Sequence, residues 1–182
     1  MSKLYVFGIG GTGSRVLKAL TMLLSSGVEC AADTIVPIII DPDDSAADKT
    51  RAVAAMNRYM SVRSKLDFTA ADQNRFFKTE IRPVDGMENF GFPLKNTRDC
   101  FFKDFIKIDE LNKANRALVS LLFSEKNLDS DMKVGFKGNP NIGSVVLNQF
   151  ANSQEYKDFA NGFQQGDRIF IVRSIFGGTG AS

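Results

Sequence analysis

The chain has 182 residues, of which 43% are hydrophobic and 24% charged, and a formal net charge of +2. This length suits one domain with its own core, and the composition is that of a globular rather than a disordered or collagen-like chain. A near-neutral charge without a basic stripe is atypical of nucleic-acid binders, and the lack of His excludes every mechanism that needs an imidazole. No apolar run approaches the roughly 20 residues of a membrane helix. We therefore expect a cytoplasmic protein with neither nucleic acid nor membrane as partner, and free thiols at Cys30 and Cys100.

The first 44 residues predict a strand, a glycine-rich turn, a helix and a second strand. Residues 4–7 are strand-forming and apolar, and residues 8–13 read GIGGTG. Leu and Val then recur at helical spacing until Gly27, which is typical of a helix end. Residues 35–40 form a second apolar run, which Asp41-Pro42-Asp43-Asp44 ends. This order predicts an α/β fold, a Rossmann-like parallel sheet with flanking helices.

The middle of the chain predicts helices separated by irregular segments. A long helix is expected over 45–66, capped by Asp44 or Ser45, and a short one from Thr69. Residues 80–97 contain Pro and Gly and predict an irregular connection, and we interpret 61–130 as a helical insertion. Two more helices are expected at 98–108 and 111–124, with Asp109 as the cap between them. Apolar side chains of this region are expected to form core: Phe76, Phe77, Phe90, Phe92, Phe101, Phe102, Phe105, Ile108, Leu111, Leu118, Leu121 and Leu122.

The last 48 residues repeat the strand-to-glycine pattern. A loop over 135–143 is followed by a helix from about Ser144, then by a buried strand over 168–175 and the turn FGGTGAS at 176–182. Ten of the 15 glycines in the chain fall in three clusters, at 8–13, 135–143 and 177–180. Because the carboxyl ends of parallel strands meet at one sheet edge, we expect the first and last clusters to lie together.

Glycine-rich turns between a strand and a helix suit phosphate binding. Without Cβ atoms the backbone approaches a phosphate closely, and the helix N-terminus presents free N–H groups to it. Gly8, Gly10 and Gly13 fit the dinucleotide fingerprint GxGxxG in the required strand–turn–helix context. The Walker A pattern is absent. A single dinucleotide site does not require the second loop, so two loops gripping one polyphosphate is the favoured interpretation.

The acidic cluster after the second strand leaves three alternatives open. A dinucleotide fold places an acidic residue about 20 positions past the glycines, at the ribose. Asp41 lies at the end of the strand, but 28 positions past Gly13. Asp41, Asp43 or Asp44 is also suited to orient Mg²⁺ beside phosphates, or to cap the following helix.

The two glycine loops resemble those of the tubulin/FtsZ superfamily of GTP-binding proteins, and most closely the divergent bacterial tubulin-like proteins. Residues 7–15 resemble the family's first loop, and 176–182 its GGGTGSG signature, with Phe176 at the first glycine. Ser14 and Arg15 stand where FtsZ-type members have Asn. The loop over 135–143 occupies the place of the family's terminal-phosphate sensor, where Lys137 and Asn139 are candidates. The resemblance implies binding of GTP or GDP, with Asp43 as the candidate ligand of Mg²⁺. The implied nucleotide-binding residues are Gly8, Gly10, Gly11, Thr12, Gly13, Ser14, Asp41, Gly177, Gly178, Thr179, Gly180 and Ser182.

The resemblance also implies that later parts of the family fold are missing, including the base-binding segments and the domain that completes GTP hydrolysis. We therefore expect 1–182 to be the N-terminal part of a longer protein, with self-assembly implied for the full-length form, and with weak GTP or GDP binding and negligible turnover by this chain alone. The alternatives are a Rossmann NAD(P)-binding domain of an oxidoreductase, a ThiF-like adenylating domain with a reactive Cys, and a scaffold that has lost its ligand.

Overall fold

The computed structural model describes residues 2–68, 75–92, 94, 97, 100–132, 135–136 and 138–182. Four strands and seven α-helices form the described part of the chain, with short 3₁₀ helices at Ile108–Glu110 and Asn148–Asn152. The strands are β1 (Lys3–Ile9), β2 (Thr34–Ile40), β3 (Glu80–Ile81) and β4 (Arg168–Val172). The helices are α1 (Gly10–Ser25), α2 (Ala47–Arg63), α3 (Phe102–Phe105), α4 (Lys113–Leu122), α5 (Glu125–Leu128), α6 (Pro140–Leu147) and α7 (Gln154–Gly162).

All strand pairs are parallel, and the sheet order is β3-β2-β1-β4. Because crossovers between parallel strands are right-handed, α1 and α2 cover one face, and the chain between β3 and β4 returns across the other. Strands β2 and β3 therefore lie on one side of β1, and β4 lies on the other, so the strand order reverses at β1. The predicted α/β fold with a Rossmann-like parallel sheet is confirmed.

Each face of the sheet has its own apolar core. On the α1 and α2 side, Val6, Ile35 and Ile39 pack with Leu17 of α1 and Met56 of α2. On the other side Tyr5, Phe7 and Val36 pack with Phe159 of α7. Every residue of β2 is buried, which explains its uninterrupted apolar sequence.

Pro37 lies in the middle of β2 and explains why β3 is only two residues long. Ile35 accepts a backbone hydrogen bond from Arg82, and Ile39 exchanges two with the segment 90–92. The backbone nitrogen of Pro37 is directed towards the same neighbouring chain as the backbone groups of Ile35 and Ile39, but it carries no N–H to donate. The neighbouring chain therefore leaves β2 after Ile81 and returns at Gly91, which forms an isolated bridge with Ile39. The prediction of an irregular connection over 80–97 missed both contacts.

Several predicted helix boundaries and caps are wrong. The helix expected from residue 45 begins at Ala47 after Ala46, without a side-chain cap. Within the helix expected over 98–108, the described residues 100–108 contain only α3 as α-helix, and Asn112 rather than Asp109 caps α4. The helix expected from Ser144 begins at Pro140. The short helix predicted from Thr69 lies outside the described residues.

The expected aromatic core is only partly confirmed. Phe90, Phe92 and Phe102 are buried, whereas Phe76 and Phe101 are about half exposed. No residue of α4 is fully buried: Val119 packs against the cluster around Phe102 and is half-buried, whereas Leu118, Leu121 and Leu122 are exposed.

The strand predicted over 168–175 ends at Val172, and it is not buried. β4 is the edge strand, and its first four residues are exposed. Ile169 and Ile171 are in register with Tyr5 and Phe7, so they lie on the α7 face, and Phe170 lies on the α1 face. Both faces of β4 thus expose apolar side chains. Among the described helices, none is long and apolar enough to cross a membrane.

Candidate functional site

The junction between β1 and α1 is built by glycines that allow close packing. A Cβ on Gly13 would overlap the backbone of Gly8 and lie 3.0 Å from the carbonyl oxygen of Val172 in β4. A Cβ on Gly8 would lie 2.6 Å from Cδ1 of Leu17. Gly8 and Gly13 therefore bring α1 against β1 and β4, a role that needs no ligand.

Gly10 starts α1 with a φ of +68°, which favours glycine. Ile9 precedes it without a side-chain cap, and the first turn of α1 holds no acidic residue. The N–H groups at this helix start therefore have no side-chain partner in the described part of the chain, and they lie at the positive end of the helix dipole.

The second glycine loop lies directly against this helix start. The Cβ position of Gly10 is 3.5 Å from Cβ of Thr179 and 3.7 Å from the backbone nitrogen of Gly180. A Cβ on Gly180 would lie 2.9 Å from the backbone of Ser174, so this glycine permits the tight return of the loop. The predicted meeting of the two loops is confirmed, and it occurs where strand order reverses, which is the usual ligand position in such sheets.

A shallow cavity of about 300 Å³, which we call the loop cavity, opens between the two loops and the end of β2. Gly11 contributes from the first loop, and Gly178 and Thr179 contribute from the last. Phe136, from the middle glycine cluster, also lines the cavity. Its Cβ lies 2.8 Å from the Cβ position of Gly178, so the middle cluster contacts the last loop. The complete lining is Gly11, Asp41, Asp43, Ala46, Ala47, Asp48, Gly135, Phe136, Gly178 and Thr179.

Three carboxylates border the loop cavity. Asp41 is 7% exposed and accepts a hydrogen bond from the backbone nitrogen of Asp43 at 3.1 Å. Burial raises the pKa of Asp41, and this effect is opposed by the same hydrogen bond and by the positive charge of Lys49. No Lys or Arg is among the described residues of the lining.

The carboxylate of Asp43, the predicted metal ligand, makes its hydrogen bonds within a local turn. It accepts hydrogen bonds from the backbone nitrogen and the hydroxyl of Ser45, at 2.9 and 2.7 Å. No group of three or more acidic, Cys or His side chains suited to a metal ion occurs among the described residues. The protein atoms described here therefore do not form a complete metal cage by themselves.

Asp48, in the first turn of α2, is the lining residue that the sequence analysis missed. It pairs with Arg51 at 2.8 Å and with Arg15 at 3.7 Å, and the hydrogen bond from Arg51 is the main cause of its lowered pKa. Arg15, which follows the first glycine loop, therefore contacts a carboxylate of α2. The only sequence signal for Asp48 was an acidic residue near a helix start, which is common.

The remaining predicted residues have different surroundings. Ser14 is fully buried, and its hydroxyl has no hydrogen-bond partner among the residues that the structure describes. The hydroxyl of Thr12 accepts a hydrogen bond from Arg15, and that of Ser182 donates one back to the carbonyl of Gly178. Gly177 has a φ of +99°, with open space at its Cβ position. Neither Gly177 nor Ser182 lines the loop cavity.

The predicted terminal-phosphate sensor is only partly placed. Asn139 immediately precedes α6, and its side-chain amide donates a hydrogen bond to the carbonyl of Phe136 at 3.1 Å. This bond stabilises the loop, and Asn139 does not line the loop cavity. Lys137 lies outside the described residues. Comparison with protein-family models, curated proteins and solved structures finds no significant match to this chain.

Proposed function

We propose that the loop cavity binds the phosphate groups of a nucleotide. The observation that carries this proposal is the contact of two glycine-rich loops at the uncapped start of α1, where strand order reverses. Backbone N–H groups of Gly10, Gly11 and Thr12 would hold one side of the phosphates, and the loop of Gly178 and Thr179 the other. Binding at such a site uses the helix dipole and does not require a Walker lysine.

The nucleotide would bind as its Mg²⁺ complex. The described lining brings three carboxylates and no cation next to a ligand that itself carries several negative charges. A divalent cation between the phosphates and Asp41 or Asp43 removes this repulsion. Mg²⁺ commonly binds in this way, through one or two carboxylates, waters and substrate phosphates rather than a protein cage.

Guanine is proposed on the resemblance of residues 7–15 and 176–182 to the tubulin/FtsZ loops. The proposed activity of the chain is therefore binding of GTP or GDP, with negligible hydrolysis by these residues alone. The NAD(P) alternative shares the first loop but does not account for the second. ThiF-like domains usually have a reactive Cys, whereas Cys100 is only partly exposed and packs against the cluster around Phe102.

Titration with four ligands tests the proposal. GTP, GDP, ATP and NADH are added to the intact chain with excess Mg²⁺, and heats of binding and release of inorganic phosphate are measured. We expect saturable binding of GTP and GDP, weaker binding of the other two, loss of affinity with a chelator, and no sustained phosphate release. Preferred binding of NADH would replace guanine nucleotide by the dinucleotide alternative, and no binding of any ligand would reject the site.

Two glycine substitutions on the same helix separate binding from folding. In Gly11→Ala the new Cβ would be 3.4 Å from the flexible carboxylate of Asp48 but next to the ligand, so we expect about tenfold weaker binding with stability unchanged or raised by up to about 1 kcal/mol. Gly13→Ala would push α1 away from Gly8 and should lose about 1–3 kcal/mol of unfolding free energy. Ser25→Ala, in the last turn of α1, serves as the control and should change neither. Unchanged GTP affinity in Gly11→Ala would contradict the proposed binding mode.

A further inference from the structure

The two helices on one face of the sheet concentrate the positive charge of the molecule. α1 and α2 together contain six Lys and Arg residues and one acidic residue, Asp48, a formal charge of +5. The whole chain carries +2, so the rest of it carries −3. The net charge of the chain is therefore close to zero although its positive and negative charges are unevenly distributed.

A groove runs between these two helices on the side away from the sheet. It consists of two depressions of about 520 and 330 Å³ that share Lys18 and Met22, and we call it the α1–α2 groove. Arg15 and Arg51 border its first part, with side chains 65% and 58% exposed. Arg58 borders its second part and is also exposed.

The cations of the groove exceed the carboxylates that face them. Among the residues that line both depressions, Asp48 is the single carboxylate, and it is shared by Arg15 and Arg51. Lys18 and Arg58 make no ion pair with any residue that the structure describes.

Apolar side chains lie between these charges. Met22 is 60% exposed and Val62 is 42% exposed, with Ala19 and Ala55 beside them. A methionine on a groove floor adapts to different apolar partners because it is flexible and polarisable. The groove therefore combines a positive rim with an apolar floor, and each feature selects a different property of a ligand.

We propose that the α1–α2 groove docks an acidic, amphipathic segment of a partner protein. Carboxylates of the segment pair with Lys18 and Arg58, and its apolar side chains cover Met22 and Val62. A segment with both features matches the groove better than a nucleic acid does. Phosphates would use only the rim, and stacking of bases requires a row of exposed aromatic rings. The exposed floor side chains are instead those of Met22 and Val62, and of the two rings in the lining Tyr59 is buried and Phe77 is only partly exposed.

Binding of a synthetic probe to the intact chain tests this proposal. The probe is a fluorescein-labelled peptide of Glu, Ala and Leu, about 18 residues long, with Leu at helical spacing so that one face is apolar. Fluorescence anisotropy should show saturable binding that weakens about tenfold as salt rises from about 0.05 to about 0.5 M. A peptide with Ser in place of each Leu should bind about fivefold more weakly, since it cannot bury the floor.

Charge reversals locate the site. The variant with Lys18→Glu and Arg58→Glu should bind the probe about tenfold more weakly. The matched control reverses Lys126 and Lys157, on α5 and α7, with the same change of net charge, and should stay within about twofold of the wild type. Met22→Ser tests the floor by an uncharged change at an exposed side chain and should weaken binding about threefold. Circular dichroism of each variant checks that it is folded.

Four results would overturn the proposal. Binding that does not saturate, or that falls equally in the control variant, would mean only general attraction between opposite charges. Equal affinity for the Ser-containing peptide would show that apolar contact with the groove floor does not contribute to binding. Tighter binding of a single-stranded oligonucleotide of equal charge would make the groove a nucleic-acid surface. None of these results depends on nucleotide binding at the loop cavity, so the two proposals fail separately.

Discussion

Asp41 combines a position predicted from the sequence with an environment that only the fold provides. The strand end was evident from the apolar run before it, but the 7% exposure of Asp41 is a property of the folded chain that the run does not predict. Burial raises its pKa, so the folded protein holds this proton more tightly than the unfolded chain does. Ionising Asp41 therefore costs stability. This cost is absent below the pKa that Asp41 has in the unfolded chain. It grows as the pH rises from that value through the higher pKa of Asp41 in the folded protein, so the free energy of unfolding falls over this range.

Replacing Asp41 by Asn should remove this cost and keep the oxygen that accepts the hydrogen bond from Asp43. We expect Asp41→Asn to melt at a higher temperature than the wild type at about pH 8, with the gain shrinking towards about pH 4. Thermal unfolding followed by circular dichroism across this range measures the difference. Asp41→Ala, which also loses the hydrogen bond, should gain less. An Asn variant that is less stable than the wild type at about pH 8 would show that the ionised carboxylate stabilises the fold.

The glycine loops show how far residue-level prediction reaches. The pattern GxGxxG was sufficient to predict a strand, a turn and a helix, and parallel topology was sufficient to bring both loops together. It did not separate Gly8 and Gly13, which allow close packing, from Gly10 and Gly11, where a Cβ would lie at least 3.4 Å from its nearest neighbours. That distinction depends on Leu17 and on Val172, and the latter is more than 150 positions away. Asp48 was missed for the same reason, since α2 had to be placed before its first turn could reach the cavity.

At the scale of elements, helical periodicity predicted apolar faces without identifying what covers them. The Leu spacing of α4 is regular, yet α4 has no buried residue. α7 shows the opposite case. Its Phe159 packs against Tyr5 and Phe7 of β1 with ring centroids 5.0 and 5.3 Å apart, nearly perpendicular in both pairs. A single ring thus joins the returning crossover to the central strand.

Phe159→Ala should therefore be among the costly substitutions of this fold. Removing a buried Phe ring typically lowers the free energy of unfolding by about 3–5 kcal/mol, through lost burial and the cavity left behind. Phe176→Ala is the matched control, because this ring is 81% exposed, and it should stay within about 0.5 kcal/mol. Urea denaturation of both variants gives the comparison. Equal losses at the two positions would mean that α7 does not hold the second core layer in place.

At the scale of the whole molecule, β4 is the feature that departs most from an ordinary sheet edge. Edge strands are usually short, charged or covered, since their unpaired backbone groups invite pairing with another chain. β4 instead has the apolar sequence Ile-Phe-Ile-Val after Arg168, with about half of each of Ile169, Phe170 and Ile171 exposed. The sequence pattern correctly indicated a strand here, but the expectation that this strand is buried was wrong. The described part of the chain covers neither face of it completely.

This exposed strand predicts concentration-dependent association of the chain through β4. Sedimentation velocity between about 5 and about 200 µM should show larger species increasing with concentration, since exposed apolar strand edges associate in this range. Ile171→Lys places a charge on the strand without disturbing a buried contact, and it should shift the chain towards monomer. Leu121→Lys adds the same charge and removes an apolar side chain that is 84% exposed on α4, so it should leave association unchanged. A wild type that stays monomeric throughout would reject the prediction. Equal effects of the two variants would assign the association to general surface hydrophobicity rather than to the edge of the sheet.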